Sequence, residues 1–212
     1  MLTKHFRYAI YLFVFICASS AIAQSSVAFF RAVHVDDAGT VQRLLDQGFD
    51  PNTVDEKGQV GLYLAFRDES PKTVAALLAH PQTRIDAVNQ ADETPLMMAA
   101  LRGQIEGARQ LLARGAALNR PGWTPLHYAA SGPEHRMVAL LLERGALVDA
   151  PSPNRTTPLM MAARYGPEDA VDLLLARGAS LGARNDAGLG PVDFAELAGR
   201  ESLAARLRSA AR

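Results

Sequence analysis

The pentapeptide GASLG at 178–182 has the G-x-S-x-G spacing in which a serine on a tight strand-to-helix turn becomes a nucleophile. Such a serine needs a histidine to take its proton and an acid to orient that histidine. Here the preceding LLARG (174–178) reads as the end of a helix with Gly178 as its stop, so Ser180 follows a helix and not a strand. The histidines beyond the N-terminal segment are His34, His80, His127 and His135, and no two of them have the H-E-x-x-H spacing of a zinc site. The lone cysteine, Cys17, lies within an apolar N-terminal run. Neither a phosphate-cradling G-x-x-x-x-G-K-[ST] run nor a dinucleotide fingerprint is present, and the carboxylates are scattered without an acid–base pair. The expectation is a chain without catalytic residues, cofactor or metal.

His127 remains, within WTPLHYAA at 123–130, and its context recurs. ETPLMMAA stands at 93–100, TTPLMMAA at 156–163 and a decayed LGPVDFAE at 189–196, of which none carries the histidine. With Thr94, Thr124 and Thr157 as anchors, and Gly61 and Gly190 as their weaker equivalents, the intervals are 33, 30, 33 and 33 residues. A second marker runs in step: LLDQG at 44–48, LLARG at 111–115, LLERG at 141–145 and LLARG at 174–178, with LLAHP at 77–81 as a variant. Two markers repeating in step indicate an array of similar units.

Each unit reads as two helices and a turn. Thr-Pro suits a helix entry, because the hydroxyl can cap free amides and the fixed φ of proline fits the first turn. In the third unit a first helix is predicted from about Pro95 to Arg102, with Gly103 at its stop. A second is predicted from about Ile105 to Ala113, burying Ile105, Ala108, Leu111 and Leu112 at helical spacing. The paired alanines (Ala99–Ala100, Ala129–Ala130, Ala162–Ala163) mark close helix–helix contact. Such helices are too short to persist alone in water, so each must be covered by its neighbours. His127 is then a turn residue whose imidazole hydrogen-bonds nearby backbone.

The pattern G-x-T-P-L-H-x-A-A … V-x-L-L-L-x-x-G-A between Gly122 and Ala146 resembles the ankyrin repeat. The resemblance covers about 26–209 and implies an all-α ankyrin-repeat solenoid of five to six stacked helix-turn-helix units with short β-turn or hairpin loops. The units fall at about 26–57, 58–90, 91–120, 121–154, 155–186 and 187–209, together making one domain, 24–212. The second is degraded: VGLYLAFRDESP lacks Thr-Pro, puts Arg67 where alanine is usual, and ends in Pro81 instead of glycine. The 30-residue interval implies a turn about three residues shorter around Asn119–Gly122.

The N-terminus has a different character. Lys4 and Arg7 precede YAIYLFVFICA (8–18), followed by SSAIAQ, in which Ala21 and Ala23 flank Ile22. A basic start, a short apolar core and an A-x-A pattern predict a cleavable signal peptide over 1–23, cut after Ala23. An uncleaved anchor is the alternative, although the apolar run is shorter than the roughly 20 residues that span a bilayer. The mature chain would then be cysteine-free, periplasmic or, alternatively, secreted. Formal net charge is +0, so no global attraction to nucleic acid or an anionic membrane is implied.

The resemblance further implies a protein partner, held on a concave surface and on the turn tips by a monomer. Carrying the variable positions of the family onto this chain selects Glu93, Arg102, Arg120, Trp123, Arg155, Arg164 and Tyr165 as partner-binding residues. Trp, Tyr and Arg are the types most enriched at interface hot spots. For Trp123 the alternative is a surface staple folded back over Pro121 or a neighbouring turn. The function expected is a non-catalytic, exported binding module whose partner is another protein, such as a periplasmic enzyme. A secreted effector that binds host proteins, or an enzyme with an unrecognised site, is the alternative.

Overall fold

A computed structural model describes residues 24–211; the expected signal peptide, with Cys17, lies outside the described residues. The chain from residue 24 onward is built from paired antiparallel helices. Helix α1 (24–34) pairs with α2 (Ala38–Asp46), α3 (Gly61–Arg67) with α4 (Pro71–Ala79), and α5 (Pro95–Leu101) with α6 (Ile105–Ala113). They are followed by α7 (Pro125–Ser131) with α8 (His135–Glu143), α9 (Pro158–Tyr165) with α10 (Glu168–Ala176), and α11 (Pro191–Leu197) with α12 (Glu201–Ala210). The six pairs follow the predicted units, and the two helices foreseen in the third unit begin where the sequence placed them.

The odd-numbered helices form the inner row and the even-numbered ones the outer row. From α5 to α11, each inner helix packs more extensively on the inner helices of adjacent units than on its own outer partner. The residues at these contacts are small: Ala99, Ala129, Ala162 and Ala195 have no exposed surface. Leu96, Leu126 and Leu159 fill the layer between inner and outer rows, with Leu111, Leu141 and Leu174 facing them from the outer helices. In the third unit Ala108 and Leu111 are buried as predicted, while Ile105 and Leu112 are only half-buried.

The loops are braced from unit to unit by a repeated Asx contact. Asn52 Oδ1 accepts from Arg84 N at 2.7 Å, Asp86 from Ala117 N at 3.0 Å, Asn119 from Leu147 N at 2.9 Å and Asp149 from Ser180 N at 3.0 Å. This last bond gives Ser180 its role, for its backbone amide is part of the brace and it stands in a turn after α10. At most tips a hairpin bond closes the turn, as between Asp55 N and Gln59 O, Asn89 N and Glu93 O, Ser152 N and Thr156 O, and Asn185 N and Leu189 O. The shortened link from Arg114 to Thr124 has a different tie: the Arg120 guanidinium donates to the carbonyl and the carboxylate of Asp92 on the preceding tip.

The degraded second unit keeps a buried inner helix, with Leu62, Tyr63, Leu64, Ala65 and Phe66 all buried, although a hollow of about 420 Å³ opens between its outer helix α4 and α6 of the next unit. Phe66 occupies the position of the close-contact alanines, and its ring has no exposed surface. Room for it comes from Gly107 in α6, where an added Cβ would overlap the Phe66 ring. Likewise Gly61, in place of the anchor threonine, makes room for Phe29, whose ring would lie 2.6 Å from a Cβ there. The departures from the repeat pattern are therefore paired, large against small, across the joints between units one to three.

This pairing predicts a reversal of sign. Gly107→Ala should destabilise by about 1–3 kcal/mol through overpacking, and Phe66→Ala by about 3–5 kcal/mol through a cavity. In the Phe66→Ala background, Gly107→Ala should instead stabilise by roughly 1 kcal/mol, because the clash is gone and alanine favours the helix. Urea denaturation of the four variants measures this. Additive effects would mean that the two residues do not share one space.

Candidate functional site

The N-cap of each inner helix is the local device that orients the concave face. Thr94, Thr124 and Thr157 cap α5, α7 and α9 from extended backbone, each followed by proline. Three residues later a side chain reaches back to the amide of the capping residue, and its chemistry varies from unit to unit. Met97 Sδ accepts from Thr94 N at 3.4 Å, His127 Nδ1 from Thr124 N at 3.2 Å, Met160 Sδ from Thr157 N at 3.4 Å and Asp193 Oδ2 from Gly190 N at 2.7 Å. What the position requires is an acceptor of the right reach, which a thioether, an imidazole or a carboxylate can supply.

His127 is fully buried. With Nδ1 accepting from the threonine amide, the proton is on Nε2, which donates to Thr156 O of the next unit at 3.0 Å. Burial pushes its pKa down to about 4, outweighing the opposing backbone contacts. The ring is a neutral joint between the fourth and fifth units, in keeping with the turn role read from the sequence. Among the described residues, no three His, Cys, Asp or Glu side chains converge as metal ligands.

Over this joint lies an apolar cavity of about 280 Å³, open to solvent on the concave side and lined by Leu101, Trp123, His127, Tyr128, Ser131, Met161 and Tyr165. Three successive inner helices contribute to it. Trp123 is half-buried and meets His127 edge to face, with ring centroids 5.1 Å apart and an interplanar angle of 78°. The ring forms a wall of the cavity. Tyr165 is 57% exposed at the opposite rim, with the Arg164 guanidinium 5.2 Å from its ring centroid. Small-molecule sites usually enclose roughly 300–1,000 Å³, so this hollow is of a size for one bulky side chain.

The other sequence-selected residues are distributed around it. Arg102 is exposed beside Leu101, with Glu69 3.7 Å away. Arg155 is exposed at a tip, in the left-handed region at φ 62°. Arg120 is tied to Asp92 and serves the short tip. Glu93 differs most from a free surface charge. Its Oε2 accepts from Tyr63 at 2.6 Å and Asn89 at 2.8 Å, and its Oε1 from Tyr128 at 2.8 Å, so one carboxylate links units two, three and four. Partial burial works against the ionised form, but the donors of Tyr63, Asn89 and Tyr128 outweigh it and hold the carboxyl below its usual range. Burial, then the bond to Glu93, raises both tyrosine hydroxyls.

Leu101 and Ser131, each seven residues after an anchor threonine, line the cavity without having been selected, and so do Tyr128 and Met161. The last two stand four residues after an anchor threonine, on the same helical face as the residue before the anchor and those seven or eight after it. Their spacing of three or four residues from those later positions on the same helix was the available signal.

Stacked helix pairs with a side-chain-sized hollow on the inner row define a helical repeat solenoid. Residues 29–121 and 117–185 match the family described as "Ankyrin repeats (3 copies)", and the chain belongs to the ankyrin repeat family. Ankyrin repeats are protein–protein interaction modules. The chain is 30% identical over 184 residues to Protein glp-1 of Caenorhabditis elegans, covering 79% of this chain and 14% of that protein. It is 38% identical over 124 residues to Cyclin-dependent kinase 4 inhibitor B of Mus musculus, covering 57% of this chain and 95% of that one. The chain thus spans only a small part of some of its curated relatives and nearly all of others. Among solved structures it resembles a chain in the complex of the predatory endopeptidase Bd0816 from Bdellovibrio bacteriovorus with the immunity protein Bd3460. That likeness has a TM-score of 0.74 and 25% identity, over 86% of this chain and 97% of that one.

The shared acceptor role of His127 and the methionines predicts the behaviour of His127→Met. In the native chain the imidazole stays neutral down to pH about 4, whereas in the unfolded chain it protonates near 6.5. Native stability should therefore fall as pH drops from about 6.5 towards 4, by on the order of 3 kcal/mol from this group. The methionine variant should lack that part of the loss, so the difference between the two stability–pH profiles should change across this window. Parallel profiles would show that His127 is not held neutral.

Proposed function

We propose that the chain is an exported, non-catalytic binding module that holds another protein in its concave groove, with the Trp123–Tyr165 cavity as the anchor point. The observation that carries this reading is the cavity itself. It is apolar, lined by the rings of Trp123, Tyr128 and Tyr165 with Arg164 against Tyr165 at its rim, which is the composition of an interface hot spot. Aromatic side chains give much contact area for little ordering entropy, and Trp123 and Tyr165 are already braced by His127 and Arg164. The N-terminal pattern supports export with cleavage after Ala23 to the periplasm. The partner proposed is an enzyme of that compartment. An endopeptidase is the first candidate, since one is named in the complex that contains the structural neighbour. The module would act as a monomer.

Photo-crosslinking in intact cells tests the reading. A crosslinking amino acid at Tyr165 should trap one discrete partner, whereas the same group at Arg109 on the outer helices should not. Trp123→Ala should reduce the yield about ten-fold or more, as loss of a hot spot of 1.4 kcal/mol or above would, with the helical circular-dichroism spectrum unchanged. Equal trapping from both faces, or undiminished trapping by the alanine variant, would exclude the groove as the docking surface. Mass spectrometry of the purified chain should find Gln24 at its N-terminus.

A further inference from the structure

The charges around the cavity do not cancel evenly. On the side of the earlier units Asp68, Glu69, Asp92 and Glu93 already have partners. Asp68 is held by Arg67 at 2.7 Å and by His34 at 2.5 Å, and Glu93 is enclosed by two tyrosine hydroxyls and an amide. Glu69 faces Arg102 at 3.7 Å, a long and exposed contact. Asp92 is engaged by Arg120. On the side of the later units the cations are left over. Among the described residues, Arg155 and Arg164 enter no ion pair within 4.0 Å. Arg164 adjoins the lining residue Tyr165 and lies against its ring, and Arg155 precedes Thr156, whose carbonyl receives the His127 bond. The Asp186 amide is tied to the tip through Asn154 O, but its carboxylate makes no ion pair with Arg155.

A hollow of about 280 Å³ takes one aromatic or long aliphatic side chain. The unpaired guanidinium of Arg164 beside its rim, and that of Arg155 on the tip before α9, present planar donor arrays suited to carboxylates. We infer that the groove recognises an acidic segment of its partner protein, in which one bulky apolar side chain enters the cavity while flanking Asp or Glu residues meet Arg155 and Arg164. This rests on the docking reading above and adds the chemistry of the segment recognised. The apolar anchor supplies most of the affinity, and the charges supply orientation and the rejection of basic segments.

The chain's single tryptophan, Trp123, is itself a wall of the cavity and reports occupancy. The probes are two blocked, tryptophan-free peptides, acetyl-DDFLDD-amide and acetyl-KKFLKK-amide, titrated to millimolar concentration against the full chain by fluorescence. The acidic peptide should perturb Trp123 saturably and bind about ten-fold or more tighter than the basic one. Rising salt should narrow that gap. An Arg155→Glu, Arg164→Glu double variant should invert the preference, while acetyl-DDGSDD-amide should leave Trp123 undisturbed. Equal binding of the acidic and basic peptides would overturn the charge assignment and leave the apolar anchor standing. Preference for the basic peptide would overturn it as well. Silence from both would show that the cavity admits no side chain, whereas failure of crosslinking at Tyr165 would remove the docking surface altogether.

Discussion

The inner helices lie so close together that their facing residues can scarcely be anything but alanine. Ala99, Ala129 and Ala162 have no surface left to solvent, and each touches a helix from another unit. An inner helix of seven or eight residues has no means of hiding its own apolar face. It becomes stable only when both neighbours cover it, so the interior is a property of the stack and not of any unit. The glycine–phenylalanine exchange between Phe66 of an inner helix and Gly107 of the next unit's outer helix makes a related point at another joint. A large residue is tolerated at the contact only because the next unit gives up a side chain.

From that constraint the groove follows. Close inner packing places the residues just before each N-cap, and those one and two turns into each helix, side by side on a concave surface. Trp123, Tyr128 and Ser131 of one unit thereby meet Leu101 of the unit before and Met161 and Tyr165 of the unit after. The cap geometry fixes the height of each helix in the row, and the buried His127 links two caps through the Thr156 carbonyl. The Glu93 carboxylate does the same for the tyrosines of units two and four. The polar network is thus a set of braces between units, and the apolar hollow is what the braces leave open.

Much of this was legible in the residues. The spacing of the threonine anchors and of the LLxxG markers gave the number and register of the units, and the shortened interval located the irregular tip at Arg120. The cavity was legible where a residue type was conspicuous at a variable position, as with Trp123 and Tyr165 in its lining. Tyr128 and Met161 were hidden because in a single unit they look like core, and only the curvature of the stack exposes them to the groove. The bridging role of Glu93, selected from the sequence only as a variable position, was out of sight because two of its donors come from positions 63 and 128, whose proximity depends on the stacking distance. The compensation of Phe66 by Gly107 was equally out of reach, since the pattern of one unit does not say which atom of the next it faces. Signals confined to one unit were readable; those created by contact between units were not.

The central claim is that the interior is shared, and Leu96→Ala tests it most directly. Leu96 is fully buried in α5 of the third unit, whereas Trp123 lies just before α7 in the fourth. Urea unfolding would be followed in the variant by tryptophan fluorescence, which reports the fourth unit, and by far-ultraviolet circular dichroism, which reports all the helices. The account predicts that both transitions move together to a lower midpoint, with a loss of about 2–5 kcal/mol. A fluorescence transition that stays at its native midpoint, while part of the helical signal is lost earlier, would contradict it.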